Sequence, residues 1–103
     1  MTVYVDDWRQ RATVGPVDGV WSHMVGDNEE ELHALAERLG LRRAWYQRHR
    51  RHRALDHYDV TEPLREEAIA LGAVPVTWRQ MGKLIGARRR LDAEPGAGTQ
   101  KSA

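Results

Sequence analysis

Val20-Trp21-Ser22-His23-Met24-Val25-Gly26-Asp27, followed by Leu32, Leu35, Ala36 and Leu39, is the stretch on which the fold turns. Its first six residues are mainly β-branched, aromatic or apolar, which suits a short strand of a half-buried sheet. Asp27 is then placed to cap a helix: its carboxylate can accept a backbone N–H three positions on, and Glu30 can return the bond as a capping box. The four apolar residues recur at i, i+3, i+4 and i+7, so one stripe of the helix faces a core. Gly40 suits the left-handed position after the last turn, with Leu41 folding back over it.

Working outward, the same signals recur. Thr2-Val3-Tyr4-Val5 reads as a buried first strand ending at Asp6-Asp7, where sites form at the carboxyl ends of parallel strands. Arg9 to Gly19 contains Gly15-Pro16 and Asp18-Gly19 and reads as a loop or hairpin connection. Trp45-Tyr46 suits a short strand. Thr61 reads as a second N-cap, with Glu62 and Pro63 in the first turn, Leu64, Ala68 and Leu71 facing inward, and Gly72 ending the helix. Val74-Pro75-Val76 is a strand whose proline favours an edge. Thr77 and Gln80 cap a last helix with Met81, Leu84 and Ile85 on its apolar face. The succession of helix, glycine and strand predicts an α/β fold: a single small domain over residues 1–91, with three to four short, mainly parallel strands and about three helices packed on the sheet. An Arg-rich loop is expected near 47–55 and a disordered tail over 92–103.

A chain of 103 residues fits one domain. No apolar run approaches the ~20 residues that span a bilayer, and no signal-peptide pattern opens the chain, so a cytoplasmic protein without membrane contact is expected. Cysteine is absent, which excludes disulfides, thiolate nucleophiles and cysteine-ligated zinc; a metal would have to be held by His, Asp or Glu. The net charge of +1 conceals an acidic run at Asp27, Glu29, Glu30 and Glu31, and a basic block from Arg42 to Arg53 that holds no acid.

Asp56-His57-Tyr58-Asp59-Val60-Thr61 concentrates reactive side chains at the mouth of the second helix. His57, Tyr58 and Asp59 are the candidate catalytic residues. If the crossovers are regular, Asp6, His23 and Asp27 approach this junction. Asp6, His23, His57 and Asp59 are then candidate ligands for Mn, Mg or Zn, and such a metal can activate water against a phosphate ester. No recognised metal-binding motif is present. A purely structural reading stands beside this one: Asp59 complements a helix dipole, Tyr58 buries its ring with its hydroxyl bonded, and His57 is a satisfied imidazole. His33 pairs with Glu37, and the four tryptophans, Trp8, Trp21, Trp45 and Trp78, mostly fill a core that lacks phenylalanine. In the basic block, Arg42, Arg43, Arg48, Arg50, Arg51 and Arg53 with Trp45 and Tyr46 suit a nucleotide or nucleic acid, or form a solvated loop that balances the acidic helix.

Tyr4-Val5-Asp6-Asp7, Trp21 to Asp27, Glu31-Leu32-His33-Ala34, Asp56 to Val60 and Gly72 to Val76 together resemble domain-of-unknown-function family 4031, a small bacterial and phage domain, over about residues 1–90. The resemblance implies no established activity. It puts Asp6, His23, Asp27, His33, His57, Tyr58 and Asp59 on the family's polar positions, and similar proteins joined to metal-dependent phosphohydrolase-type domains imply nucleotide or phosphate chemistry by association. The segment before Asp56 is longer and richer in arginine than in many relatives, so the resemblance assigns the basic block no family-wide role. Two functional readings are open: a metal-dependent phosphoesterase, or a non-catalytic nucleotide- or nucleic-acid-binding module. A third reading is a homodimerising accessory protein, with an edge strand near Val74–Val76 and exposed tryptophans as its interface.

Overall fold

The computed structural model describes residues 2–49 and 56–93, the last five as backbone alone. Strands β1 (Val3–Val5), β2 (Gln10–Val14) and β3 (Val17–Gly26) are followed by helix α1 (Glu29–Arg38) and a 3₁₀ turn over Arg43–Trp45. Strand β4 (Tyr58–Thr61) leads directly into helix α2 (Glu62–Ala70); β5 (Val74–Pro75) and helix α3 (Trp78–Ala93) complete the order.

β3 organises the sheet. Trp21 pairs with Gln10 of β2 and with Thr61 of β4, and Met24 pairs with Val5 of β1 and with Tyr58 of β4. β1 and β2 therefore lie along one edge of β3, separated by the break Asp6–Arg9, and β4 lies along the other. All three pairings are antiparallel, and among the described residues only β1 with β5 is parallel. The expectation of a mainly parallel sheet is thus corrected: this is a small α/β domain on a mostly antiparallel, open sheet. The physical reason is connectivity. The Gly15 turn, at φ +59, makes β2 and β3 a tight hairpin, and the chain between α1 and β4 reverses once more than a single crossover helix would.

The core lies between the sheet and the first two helices. Val3, Val5, Met24, Tyr58 and Val60 project from one sheet face against Leu32, Leu35, Ala36 and Leu39 of the α1 segment and Ala68 of α2. On the opposite face Ile85 of α3 lines a pocket together with Val25 and His23. Arg88 fastens α3 across the end of β3 by bonds to the Gly26 carbonyl at 2.9 Å and to Asp27 at 2.7 Å. Both expected helix stops are present. Gly40 and Gly72 take φ of +79 and +112, and Leu41 and Ala73 donate back to the carbonyls of Ala36 and Ala68, the paired bonds of a left-handed stop.

Several local expectations shift. The first helix is capped by Asn28, not Asp27: its side-chain Oδ1 accepts from Glu31 N at 2.8 Å, and its side-chain amide donates to the Glu31 carboxylate at 3.4 Å, in place of the capping box expected between Asp27 and Glu30. Gly26 makes this close approach feasible, since a Cβ there would lie 2.8 Å from Asn28 O and 2.9 Å from Leu32 Cβ. Thr61 occupies the cap position of α2 without a side-chain bond. Thr77 and Gln80 form the reciprocal cap expected of them, at 2.8 and 3.1 Å. Trp45 belongs to the 3₁₀ turn rather than to a strand. Of the tryptophans only Trp21 is buried, its indole bonded to Ala12 O at 2.8 Å; Trp8, Trp45 and Trp78 are exposed, because valine, leucine, methionine and tyrosine already fill the core. α3 continues through Ala93, and the tail beyond it lies outside the described residues. Among the described residues no helix is long and apolar enough to cross a membrane.

Candidate metal centre

Cross-strand register assembles the cluster. β3 and β4 pair His23 with Asp59 directly, one step out of phase with the core pair Met24 and Tyr58. Because side chains alternate, His23 and Asp59 share the face opposite the core. His57, two residues before Asp59, falls on that same face. Its backbone is held by reciprocal bonds with Gln47 at 2.8 and 3.1 Å. His57 Nε2 lies 3.2 Å from Asp59 Oδ1, and the His23 and His57 rings meet edge to face with centroids 5.2 Å apart. One donor atom from each of His23, His57 and Asp59 lies within 4.8 Å of the others.

Asp6 reaches the cluster from behind. It is 1% exposed, and its Oδ2 lies 2.7 Å from His23 Nδ1. Oδ1 accepts from His23 N at 2.9 Å and from Trp8 N at 3.1 Å. Arg65, also buried, donates from Nε to the Asp6 carbonyl at 2.7 Å. Burial raises the Asp6 pKa, but the His23 bond and the two backbone donors outweigh it and hold the carboxyl below its ordinary value. A carboxylate on Nδ1 leaves His23 Nε2 as the nitrogen available to a ligand, the usual relation between a metal-binding histidine and the acid behind it. Burial likewise raises Asp59, while the His57 bond and charge, with a bond from Gln47 Nε2 at 2.5 Å, pull it below the ordinary range. Both acids are ionised across the neutral range, as ligand or anchor must be.

The cluster opens into a pocket of about 420 Å³ lined by His23, His57, Gln47, Arg48 and His49, with Val25 and Ile85 as its apolar floor. Arg48 is exposed at its mouth, 3.1 Å from Glu29 and with its guanidinium 5.2 Å from the Tyr46 ring centre. The polar part of the lining is three imidazoles, an amide and a guanidinium.

The other sequence-predicted residues fall elsewhere. Tyr58 points into the core, where its hydroxyl meets His33 Nδ1 at 2.7 Å. His33 Nε2 lies 3.5 Å from Glu29, the acid one turn before it, not from Glu37. Asp27 is tied to Arg88 and to Thr2 N. Arg42 lies over Trp45, its guanidinium 5.9 Å from the ring centre, and Arg43 stands exposed in the 3₁₀ turn. Arg50, Arg51 and Arg53 lie outside the described residues. Sequence reasoning missed Gln47, Arg65 and the Trp8 ring over His23; none stands in a motif, and each arrives through long-range pairing.

A family model described as "Protein of unknown function (DUF4031)" matches residues 3–88. Neither the curated proteins nor the solved structures yield a match.

Proposed function

We propose, starting from the fact that this chain belongs to the DUF4031 family, that His23, His57 and Asp59 bind one divalent metal in a domain that acts on phosphate esters. The carrying observation is the convergence of three donor atoms within 4.8 Å, with two of their residues, His23 and His57, lining a pocket together with Arg48. Metal–nitrogen bonds of ~2.0–2.1 Å require the donors to close in somewhat further, within reach of side-chain rotation at a partly buried site. Two imidazoles and one carboxylate suit Zn or Mn better than Mg, which prefers an all-oxygen shell. A bound cation would polarise a phosphoryl oxygen and lower the pKa of water. The remaining chemistry belongs to the chain. Asp6 fixes the His23 tautomer, Gln47 orients Asp59, and Arg48 attracts the anion. Tyr58, turned into the core, supports the fold rather than the reaction.

Metal analysis of protein purified without a histidine tag, followed by Zn and Mn titrations and hydrolysis of bis(p-nitrophenyl) phosphate, tests this reading. Stoichiometric metal, lost in His23→Ala and Asp59→Ala, supports the centre; hydrolysis that follows metal content supports the enzyme. Metal without turnover leaves a cytoplasmic nucleotide- or nucleic-acid-binding module. No metal retained or bound defeats the proposal.

A further inference from the structure

Trp8 is 40% exposed yet its position is tightly set. Its amide donates to Asp6 Oδ1 at 3.1 Å, its carbonyl accepts from Gln10 Nε2 at 3.3 Å, and the next residue, Arg9, donates to Ser22 Oγ at 3.2 Å. Arg9 takes φ +49, a left-handed conformation that costs ~1–2 kcal/mol for a residue with a Cβ. Such strain persists where the surroundings over-determine it, and it concentrates at binding sites. Here the strained turn sets an indole beside His23, with ring centroids 4.7 Å apart and planes tilted by 32°. A large apolar ring is thereby held at the surface next to a polar cluster.

His23 therefore borders two different surfaces. One is the flat face of Trp8. The other is the pocket with His57, Gln47, Arg48 and His49. An aromatic plate next to an anion-binding pocket matches a molecule that joins a flat base to a phosphate. We propose that Trp8 is a base-stacking subsite and that the ligand of this pocket is a nucleotide unit, its phosphate lying beside His23, His57 and Arg48. This deepens the phosphate-ester reading and rests on it. Stacking on an indole is tolerant of base identity, since every base offers a π-face. A second exposed indole lies beyond the first: Asp7 Oδ1 accepts from Trp78 N at 2.7 Å, bringing the start of α3 and the Arg79–Trp78 cation–π pair to the same turn.

The experiment compares AMP, inorganic phosphate and a short oligothymidylate by equilibrium titration of the full chain with Mn present, alongside Mn titrated alone. The expected result is tighter binding of AMP than of phosphate. Trp8→Leu should weaken AMP roughly 5- to 100-fold while Mn and phosphate affinities hold. Trp8→Phe should keep most of the AMP affinity and guards against misfolding of the leucine variant. AMP binding no tighter than phosphate overturns the proposal. So does a Trp8→Leu loss of Mn affinity as large as its loss of AMP affinity, which would make Trp8 a shield for His23. If Mn does not bind at all, the metal reading fails separately; AMP quenching of tryptophan fluorescence that disappears in Trp8→Leu still upholds the stacking subsite, and its absence overturns it. Oligothymidylate binding tighter than AMP identifies a strand as the source of the nucleotide, and the reverse order a free nucleotide; both uphold the subsite.

Discussion

Tyr58 and Asp59 are consecutive residues of β4, and the sheet treats them in opposite ways. Tyr58 faces the core, where burial raises its pKa against the pull of Arg43, with Glu37 and Glu29 adding to the rise. Its hydroxyl, His33 and the ring of Tyr46 form a packed polar knot, with His33 4.6 Å from Tyr46 and 5.7 Å from Tyr58 by ring centroids. Asp59 faces outward, where burial is outweighed by His57 and Gln47 and the carboxyl is held ionised. Both faces carry a histidine and an oxygen partner. On the core face they hold the fold together; on the open face they remain accessible to a ligand, which is the difference between a structural histidine and a candidate metal ligand.

Substitutions on the two faces should therefore separate stability from binding. The largest effect on folding is expected from Tyr58→Ala, a loss of ~3–5 kcal/mol in urea denaturation for a fully buried aromatic. Asp59→Ala removes no core packing and should cost less, about 1–3 kcal/mol for the partners it leaves unpaired at a side chain 20% exposed, while lowering Mn or Zn affinity by more than the tenfold that ~1.4 kcal/mol represents. Equal destabilisation by the two would erase the distinction between the faces.

Asp6 sharpens the comparison because it is buried yet serves the open face. Asp6→Asn should weaken metal binding roughly 10- to 100-fold without removing a ligand, as outer partners of metal-binding histidines do. Its charge also predicts an acid response. The folded pKa of Asp6 lies below the ordinary 3.8, so its stabilisation is complete above that value and is lost as pH falls below it through the folded pKa. Urea midpoints should fall over that acid window in the parent and less steeply in Asp6→Asn. An unchanged slope would remove Asp6 from the account. The smallest expected effect is at Arg9→Gly. Relief of the positive φ should offset the exposed Arg9–Glu62 ion pair, 3.2 Å long, leaving stability equal or up to ~1 kcal/mol higher.

The legible parts of this chain were those governed by local chemistry. The stripe of α1, the stops at Gly40 and Gly72, the Thr77–Gln80 cap and β1 ending in acids all follow from neighbours a few residues apart. His23, His57 and Asp59 were named from residue type and were brought together by the sheet. The strand directions were not legible, since every residue of β2 is exposed and shows no alternation to mark a strand. Asp27 and Asn28 are both good caps, and only the close approach at Gly26 selects the second. Asp6 was named a candidate ligand from its place at the end of the first strand; its bonds to His23 cross 17 positions of sequence and were not legible.

The double flanking of β3 also has a kinetic consequence. Its segment Trp21–Met24 is bonded to β4 and, at its two ends, to β2 and β1, whereas Val17–Val20 pairs, among the described residues, with the exposed β2 alone. Amide hydrogens of the hairpin should exchange with solvent through local fraying, and those near Met24 only when the whole domain opens. His23 and Asp59 belong to the slow-exchanging part, so the cluster should stay assembled while the hairpin breathes.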